Sequence, residues 1–215
     1  MGLKTLVVLP RKILLEQTVE RIEEFADDLD VGRVYSAAKE HGCKVTLITY
    51  DSFVSGVKAG LIDPKEFDLL VLDEVHRGLS DKRKETVGKF PHALQVGFTA
   101  TPAFSDKKRV EQILPDCIFE MSIREAVEKR MLCSFVSGVI QTNVDLSTVT
   151  IKDTGEYDAE ELEIAVDIET RNRAAVNAYK EVAPNGKSVV YCAGINHSKH
   201  VAERFVKEGI VAAAV

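Results

Sequence analysis

Residues 69–80 read LLVLDEVHRGLS. Four apolar residues, Leu69 to Leu72, run straight into two carboxylates, Asp73 and Glu74, and then into Val75 and His76. A short apolar run of this kind reads as a strand buried on both faces, and such strands belong to parallel sheets. In open α/β sheets, ligands bind beyond the carboxyl ends of the strands. Asp73 and Glu74 stand at such an end, so they need a reason to be there.

Working outward, similar runs recur at 5–9 (TLVVL), 45–49 (VTLIT), 94–98 (LQVGF), 135–140 (FVSGVI) and 188–192 (SVVYC). Helical patterns lie between them. Residues 11–29 place Leu14, Ile22, Phe25 and Leu29 on one stripe, with Glu20, Glu23, Glu24 and Asp27 mostly opposite. Asp63-Pro64 reads as a cap followed by proline at the first helical position. Ser122-x-x-Glu125 is a capping box that opens a helix to about Met131. A long helix is expected within 159–183, and a last helix capped by Asn196 and ended by Gly209. Residues 145–158 read as a loop or an exposed hairpin. This alternation predicts an α/β fold, a parallel sheet with right-handed crossovers.

Composition narrows the class. The chain has 215 residues, 45% hydrophobic and 29% charged, a globular balance. No apolar run approaches the roughly 20 residues that span a bilayer, and the run of four apolar residues before Pro10, Leu6 to Leu9, is too short for a secretory signal. Cys43, Cys117, Cys133 and Cys192 show no CxxC spacing, which fits inert thiols in a reducing, cytoplasmic setting. The net charge is −6, divided as −2 over residues 1–133 and −4 over 134–215. Any grip on nucleic acid is therefore local. Lys82-Arg83-Lys84 and Lys107-Lys108-Arg109 read as solvated helix faces. A domain boundary is expected near 133–134.

Three strand ends carry polar signals: Pro10-Arg11, Asp73-Glu74 and Thr99-Ala100-Thr101-Pro102. Each alone reads as a turn or cap; together they resemble a known set. DEVH at 73–76 resembles the Walker B, or DEAD/DEAH, box of superfamily 2 helicases and translocases. GFTATP at 97–102 resembles their motif III, with Thr99 standing 26 positions after Asp73. LVVLPRKILLEQT (6–18) resembles motif Ia, and VTLITYDSF (45–53) is similar to the TYxS segment between them. Residues 113–135 resemble the close of the first RecA-like domain in the branch that includes type I restriction enzyme helicase subunits. Residues 188–210 resemble motif IV, which opens a second RecA-like domain.

The resemblance implies a RecA-like parallel sheet flanked by helices, of P-loop NTPase type, with 1–133 a first domain and 134–215 a linker and the start of a second. It implies ATP and Mg²⁺ as ligands and nucleic acid as partner, DNA rather than RNA, with restriction or repair subunits as candidate partners. A carboxylate at Asp73 would hold Mg²⁺ through its waters, and one at Glu74 would orient or deprotonate the attacking water. His76 would link the ATP edge to motif III. Thr99, Ala100 and Thr101 would relay nucleotide state. Pro10, Arg11, Thr49 and Tyr50 would contact the sugar-phosphate backbone, as helix starts suit phosphate.

One part of the family pattern is not found. The only GK[ST] is Gly186-Lys187-Ser188, with Glu181 where the first glycine of GxxxxGK[ST] belongs. A strand-like run follows it, so it reads as a turn and not a phosphate-binding loop. The chain thus reads as the middle of a helicase, expected to bind ATP weakly alone. Two other readings stand beside the motor. One is a nucleic-acid-binding or scaffolding module without turnover. The other is a metal-dependent hydrolase built on Asp73, Glu74 and His76, against which neighbouring strand residues point to opposite faces. His197 and His200 read as surface residues.

Overall fold

Apolar runs need neighbouring strands, and four of the six found in the sequence obtain at least one. In a computed structural model, residues 2–26, 28–36, 38–40, 42–105, 108–153 and 155–215 are described. Asp27 and Lys107, named above for a helix face and a basic cluster, lie outside them. The elements of the first half are β1 (Thr5–Leu9), α1 (Lys12–Phe25), β2 (Val31–Tyr35), β3 (Ala38–Lys39), β4 (Val45–Thr49), α2 (Tyr50–Lys58), β5 (Leu69–Asp73), α3 (Asp81–Val87) and β6 (Leu94–Phe98). A small ribbon, β7 (Ala103–Ser105) and β8 (Lys108–Arg109), follows. β1, β4, β5 and β6 cover the residues expected for them.

The six-stranded sheet runs β3-β2-β4-β1-β5-β6. Every pairing is parallel except β2 with β3. The expected α/β class holds. Side chains alternate across each strand. Leu6, Val8, Ile48, Leu70 and Leu72 pack in one cluster with Phe53, Phe67 and Phe90. Phe53 and Phe90 are fully buried, with ring centroids 5.5 Å apart; each such burial contributes roughly 1.5–3 kcal/mol. Leu9 and Leu47 face the other side and meet Leu15 and Val19 of α1.

Two expectations are corrected in this sheet. The buried stripe of α1 is Leu15 and Val19, with Ile22 packed beside them. Leu14 is partly exposed and Phe25 is 80% exposed. The helix ends at Phe25, short of Leu29, and the i, i+4, i+7 row from Leu15 is the one turned to the sheet. Nor are β5 and β6 buried on both faces. α1 covers β4, β1 and β2, so Val71 and Val96, paired in register, are only half-buried. β6 is an edge strand with Leu94 and Phe98 exposed.

The chain divides into two compact units, residues 1–125 and 126–215, whereas composition shifts near 133–134. The division falls inside α4 (Ile123–Glu128). Ser122 does receive the Glu125 N–H at 3.1 Å. The amides of Met131 and Leu132 fold back onto the carbonyl of Ala126, which groups that half of the helix with the following turn.

The second unit contains α5 (Ala159–Val166), α6 (Glu169–Val182) and α7 (Ile195–Lys207). Val176, Val201 and Phe205 form its core. The long helix expected within 159–183 is α6; the shorter α5 precedes it, and the two are separated at Asp167-Ile168, where Asp167 takes a non-helical backbone. α7 is capped by Gly194 rather than Asn196, and Gly209, at φ +77°, follows its end. The runs 135–140 and 188–192 are not strands. Neither finds a neighbouring strand among the described residues, and an extended segment without a ladder leaves its N–H and C=O groups to water. At 145–158 a single antiparallel bridge, Ile151 with Tyr157, makes a minimal hairpin.

Candidate functional site

Register brings the polar strand ends together. Leu9 pairs with Thr49, Val8 with Leu72, and Asp73 with Phe98. The chain therefore leaves four adjacent strands at one level, at Pro10, Tyr50, Glu74 and Thr99. That is the carboxyl edge of a parallel sheet, where ligands collect. An open groove of about 720 Å³ runs from it along α1, lined by Leu9, Leu14, Thr18, Arg21 and Asp73 among others.

The turn after β5 is built tightly. Glu74 has φ 48° and ψ 54°, the left-handed region that few non-glycine residues occupy. Three contacts hold it there. The Tyr50 hydroxyl donates to the Asp73 carbonyl at 3.0 Å. The Arg77 N–H donates to the Glu74 carbonyl at 2.8 Å. Val75, 1% exposed, plugs the core below. β6 accommodates the plug with Gly97, where a Cβ would lie 2.5 Å from Leu114 Cδ1 and 3.1 Å from Val75 Cβ.

This backbone turns the Glu74 carboxylate toward His76. Nδ1 of His76 lies 3.2 Å from Glu74 Oε2 and 2.8 Å from Thr99 Oγ1. The ring nitrogen therefore lies between a carboxylate and a hydroxyl. Thr99 Oγ1 also receives the Thr101 N–H at 2.9 Å. Glu74, His76, Thr99 and the Thr101 backbone thus form one connected array, while Ala100 stands exposed between the threonines.

The other strand ends differ from one another. Pro10 is half-buried and Arg11 exposed. Arg11 sits at the N-cap of α1 with extended backbone; no side chain caps that helix and its first turn holds no acidic residue. Its amides and dipole therefore face outward beside a cation. Thr49 caps α2 in the same extended conformation, its Oγ1 3.0 Å from Ser52 Oγ. Tyr50, expected at a nucleic-acid surface, is corrected: its side chain is 2% exposed. Burial, reinforced by the Asp73 charge, pushes its phenol well above the ordinary range. The ring is committed to the core because its hydroxyl is bonded inward. Arg83 is corrected too. Instead of a solvated face it stacks over the Tyr50 ring, 5.1 Å from the centroid, and bonds Asp51 and the Arg77 carbonyl. Nothing in the local pattern of either residue marks these contacts.

Among the described residues, no three His, Cys, Asp or Glu side chains gather closely enough to hold a metal between them. His197 is buried, not at the surface. It accepts the Ala193 N–H at Nδ1 and bonds Asn172 through Nε2. Its partner three residues on, His200, pairs with Asp167 instead. Gly186-Lys187-Ser188 follows a turn and opens no helix. No helix is long and apolar enough to cross a membrane among the described residues. All four cysteines are free.

Residues 2–104 match the family model described as Type III restriction enzyme, res subunit, a span that holds every residue from Pro10 to Thr101 discussed here. The chain is 24% identical over 163 residues to a type I restriction enzyme EcoAI endonuclease subunit of Escherichia coli, covering 67% of this chain and 20% of that protein. It is 31% identical over 130 residues to the DNA 3'-5' translocase XPB2 of Sulfurisphaera tokodaii, covering 60% of this chain and 28% of that protein. The chain thus spans less than a third of the length of these curated relatives. A solved structure titled as a hypothetical ATP-dependent RNA helicase from Sulfolobus tokodaii aligns at 24% identity and a TM-score of 0.45, over 53% of this chain and 38% of that one. The resemblance to superfamily 2 helicases, near the restriction-enzyme branch, holds for the first half of the chain.

Proposed function

We propose, from that kinship of residues 2–104 with superfamily 2 helicases, that this chain supplies the hydrolytic and coupling edge of an ATP-driven motor on DNA. The observation that carries the reading is the array at the sheet edge, in which Glu74 and Thr99 meet through one nitrogen of His76. In this reading Asp73 holds Mg²⁺ through water. A lone, half-buried carboxylate at a strand exit suits that task, since an ion held through its waters needs no ligand cluster. When bound, the ion neutralises charge on the ATP phosphates. Glu74 orients the attacking water and accepts its proton, and its left-handed backbone aims the carboxylate. His76 and Thr99 sense whether Glu74 is engaged, and Ala100 and Thr101 carry that state along the loop after β6.

Pro10-Arg11 and Thr49 contact the sugar-phosphate backbone in this reading. What supports it is the uncapped start of α1 beside an exposed guanidinium. Residues 134–215 would contribute to a second RecA-like domain. No GxxxxGK[ST] occurs in the chain, so by itself it should turn over ATP too slowly to detect. That absence also keeps a second reading in view, a module that binds DNA without hydrolysis.

The test is ATP turnover with and without single-stranded DNA, in a protein carrying this chain together with a phosphate-binding loop. DNA should stimulate turnover and Glu74→Gln should abolish it. Turnover that survives Glu74→Gln would remove the motor reading. Single-strand binding by this chain without ATP, weakened in Arg11→Ala, supports the contact assignment in either reading.

A further inference from the structure

The start of α2 and the turn after β5 are joined at two points, neither of them part of the sheet ladder. The first is the Tyr50 hydroxyl on the Asp73 carbonyl, at 3.0 Å. The second is Arg83. One of its nitrogens reaches Asp51 Oδ1 at 2.8 Å, in the first turn of α2. Another reaches the Arg77 carbonyl at 2.7 Å, and the Arg77 N–H returns to Glu74 at 2.8 Å. The guanidinium lies over the Tyr50 ring between these two ends. From the turn side, Gly78 lies in van der Waals range, where a Cβ would stand 3.7 Å from the same ring.

Such a ring has no free rotamer to absorb motion. A displacement of the first turn of α2 therefore passes to the Asp73 carbonyl, and through it to the peptide that sets Glu74. Glu74 is the residue in this edge held outside the extended and right-handed regions that side chains in general favour: it occupies the left-handed one. Thr49, one residue before Tyr50, is the position read above as facing the nucleic-acid backbone.

We propose that Tyr50, braced by Arg83, is a positioning residue that couples occupancy of the α2 start to the backbone of Glu74. This rests on the reading that nucleic acid contacts Thr49. Tyr50 itself touches neither nucleic acid nor nucleotide. Nucleic acid at Thr49 orders the first turn of α2, and the phenol then holds Asp73-Glu74 in its left-handed turn. By linkage, whatever fixes Glu74 also tightens the hold on nucleic acid. The hydroxyl is the donor in that bond, since the Asp73 carbonyl can only accept.

The experiment is amide hydrogen exchange of the 74–79 segment, with and without saturating oligothymidine, in the wild-type chain, Tyr50→Phe and Arg83→Gln. Oligothymidine should slow exchange at 74–79 in the wild type at least about fivefold, the low end of allosteric coupling. Tyr50→Phe keeps the ring and loses the hydroxyl. It should bind oligothymidine within about twofold of wild type, a negligible free-energy change, and lose the slowing. Arg83→Gln should reduce it, and serves alone if Tyr50→Phe does not fold. A merely structural Tyr50 predicts faster exchange in Tyr50→Phe with the ratio between bound and free unchanged; that result overturns the proposal. So does a wild-type segment that ignores bound oligothymidine. Absence of saturable binding removes the Thr49 reading itself and the proposal with it, and is distinguished because it shows in the titration and not in the exchange ratio.

Discussion

His76 and Thr99 stand 23 residues apart in the chain and meet at 2.8 Å, imidazole Nδ1 to hydroxyl. Because Thr99 Oγ1 also takes the Thr101 N–H, one hydroxyl orders both the DEVH turn and the loop after β6. Thr99→Val keeps the shape and deletes the acceptor. We expect a loss of about 1 kcal/mol of stability, the net value of such a bond, read as a lower urea midpoint at unchanged slope. Under the proposed motor reading, strand movement should fall more than ATP turnover, since that reading gives Thr99 the relay and Glu74 the attacking water.

Glu74→Gly separates geometry from chemistry. A non-glycine residue in the left-handed region carries roughly 1–2 kcal/mol of strain, which glycine escapes at some cost in unfolded-chain entropy. The variant should be up to about 1 kcal/mol more stable than the native chain while supporting no hydrolysis. Denaturation curves check the first half of that statement and ATP turnover the second.

Gly97→Ala tests the plug beneath the turn. Its added methyl has no space between Leu114 and Val75. Overpacking of this kind costs typically 1–3 kcal/mol. The cost should appear in chemical denaturation, together with faster amide exchange in the 75–79 segment, since Val75 must shift. Alanine at Gly42, where nothing lies within 4 Å but φ is +94°, controls for backbone strain without crowding.

The second unit should respond to pH through His200 and Asp167, which pair at 2.5 Å. The Asp167 carboxylate raises the His200 imidazole above its ordinary value. Burial pushes the Asp167 carboxyl up, but hydrogen bonds from His200 and Asn172 outweigh it and hold it below the ordinary range. A raised histidine stabilises fully below its unfolded value near 6.5, and that contribution fades as pH rises through the folded one. A lowered aspartate stabilises above its unfolded value near 3.9, and loses this as pH falls through its folded one. The pair is therefore strongest between about pH 4 and 6.5. Protection factors of the α6 and α7 amides, with the intrinsic pH dependence of exchange divided out, should be highest in that window. The difference between wild type and His200→Gln should shrink toward pH 9; a difference constant from pH 5 to 9 counts against the pair.

How much of this was legible differed from element to element. β1, β4, β5 and β6 followed from their own composition, short and mainly apolar runs, each of which has a neighbouring strand to pair with. β2 escaped notice: VGRVY carries a glycine and an arginine, and it becomes a strand because β4 and β3 flank it. FVSGVI and SVVYC show the reverse. Their propensity is that of strands, yet without a neighbouring ladder they remain irregular. α1 was visible as a helix, but the sheet decided which row of it to bury.

The site divides in the same way. Sequence alone determined that Pro10-Arg11, Thr49, Asp73-Glu74 and Thr99-Ala100-Thr101 sit at the ends of strands, since strand and loop are written in local pattern. Only the tertiary structure decided what each residue does there. It aligned four strand ends at one level, put Glu74 into a left-handed turn, gave His76 both Glu74 and Thr99, and drew Tyr50 inward under Arg83. Those outcomes depend on pairing register and on packing between residues far apart in the chain, and such contacts leave no mark on the spacing of neighbours.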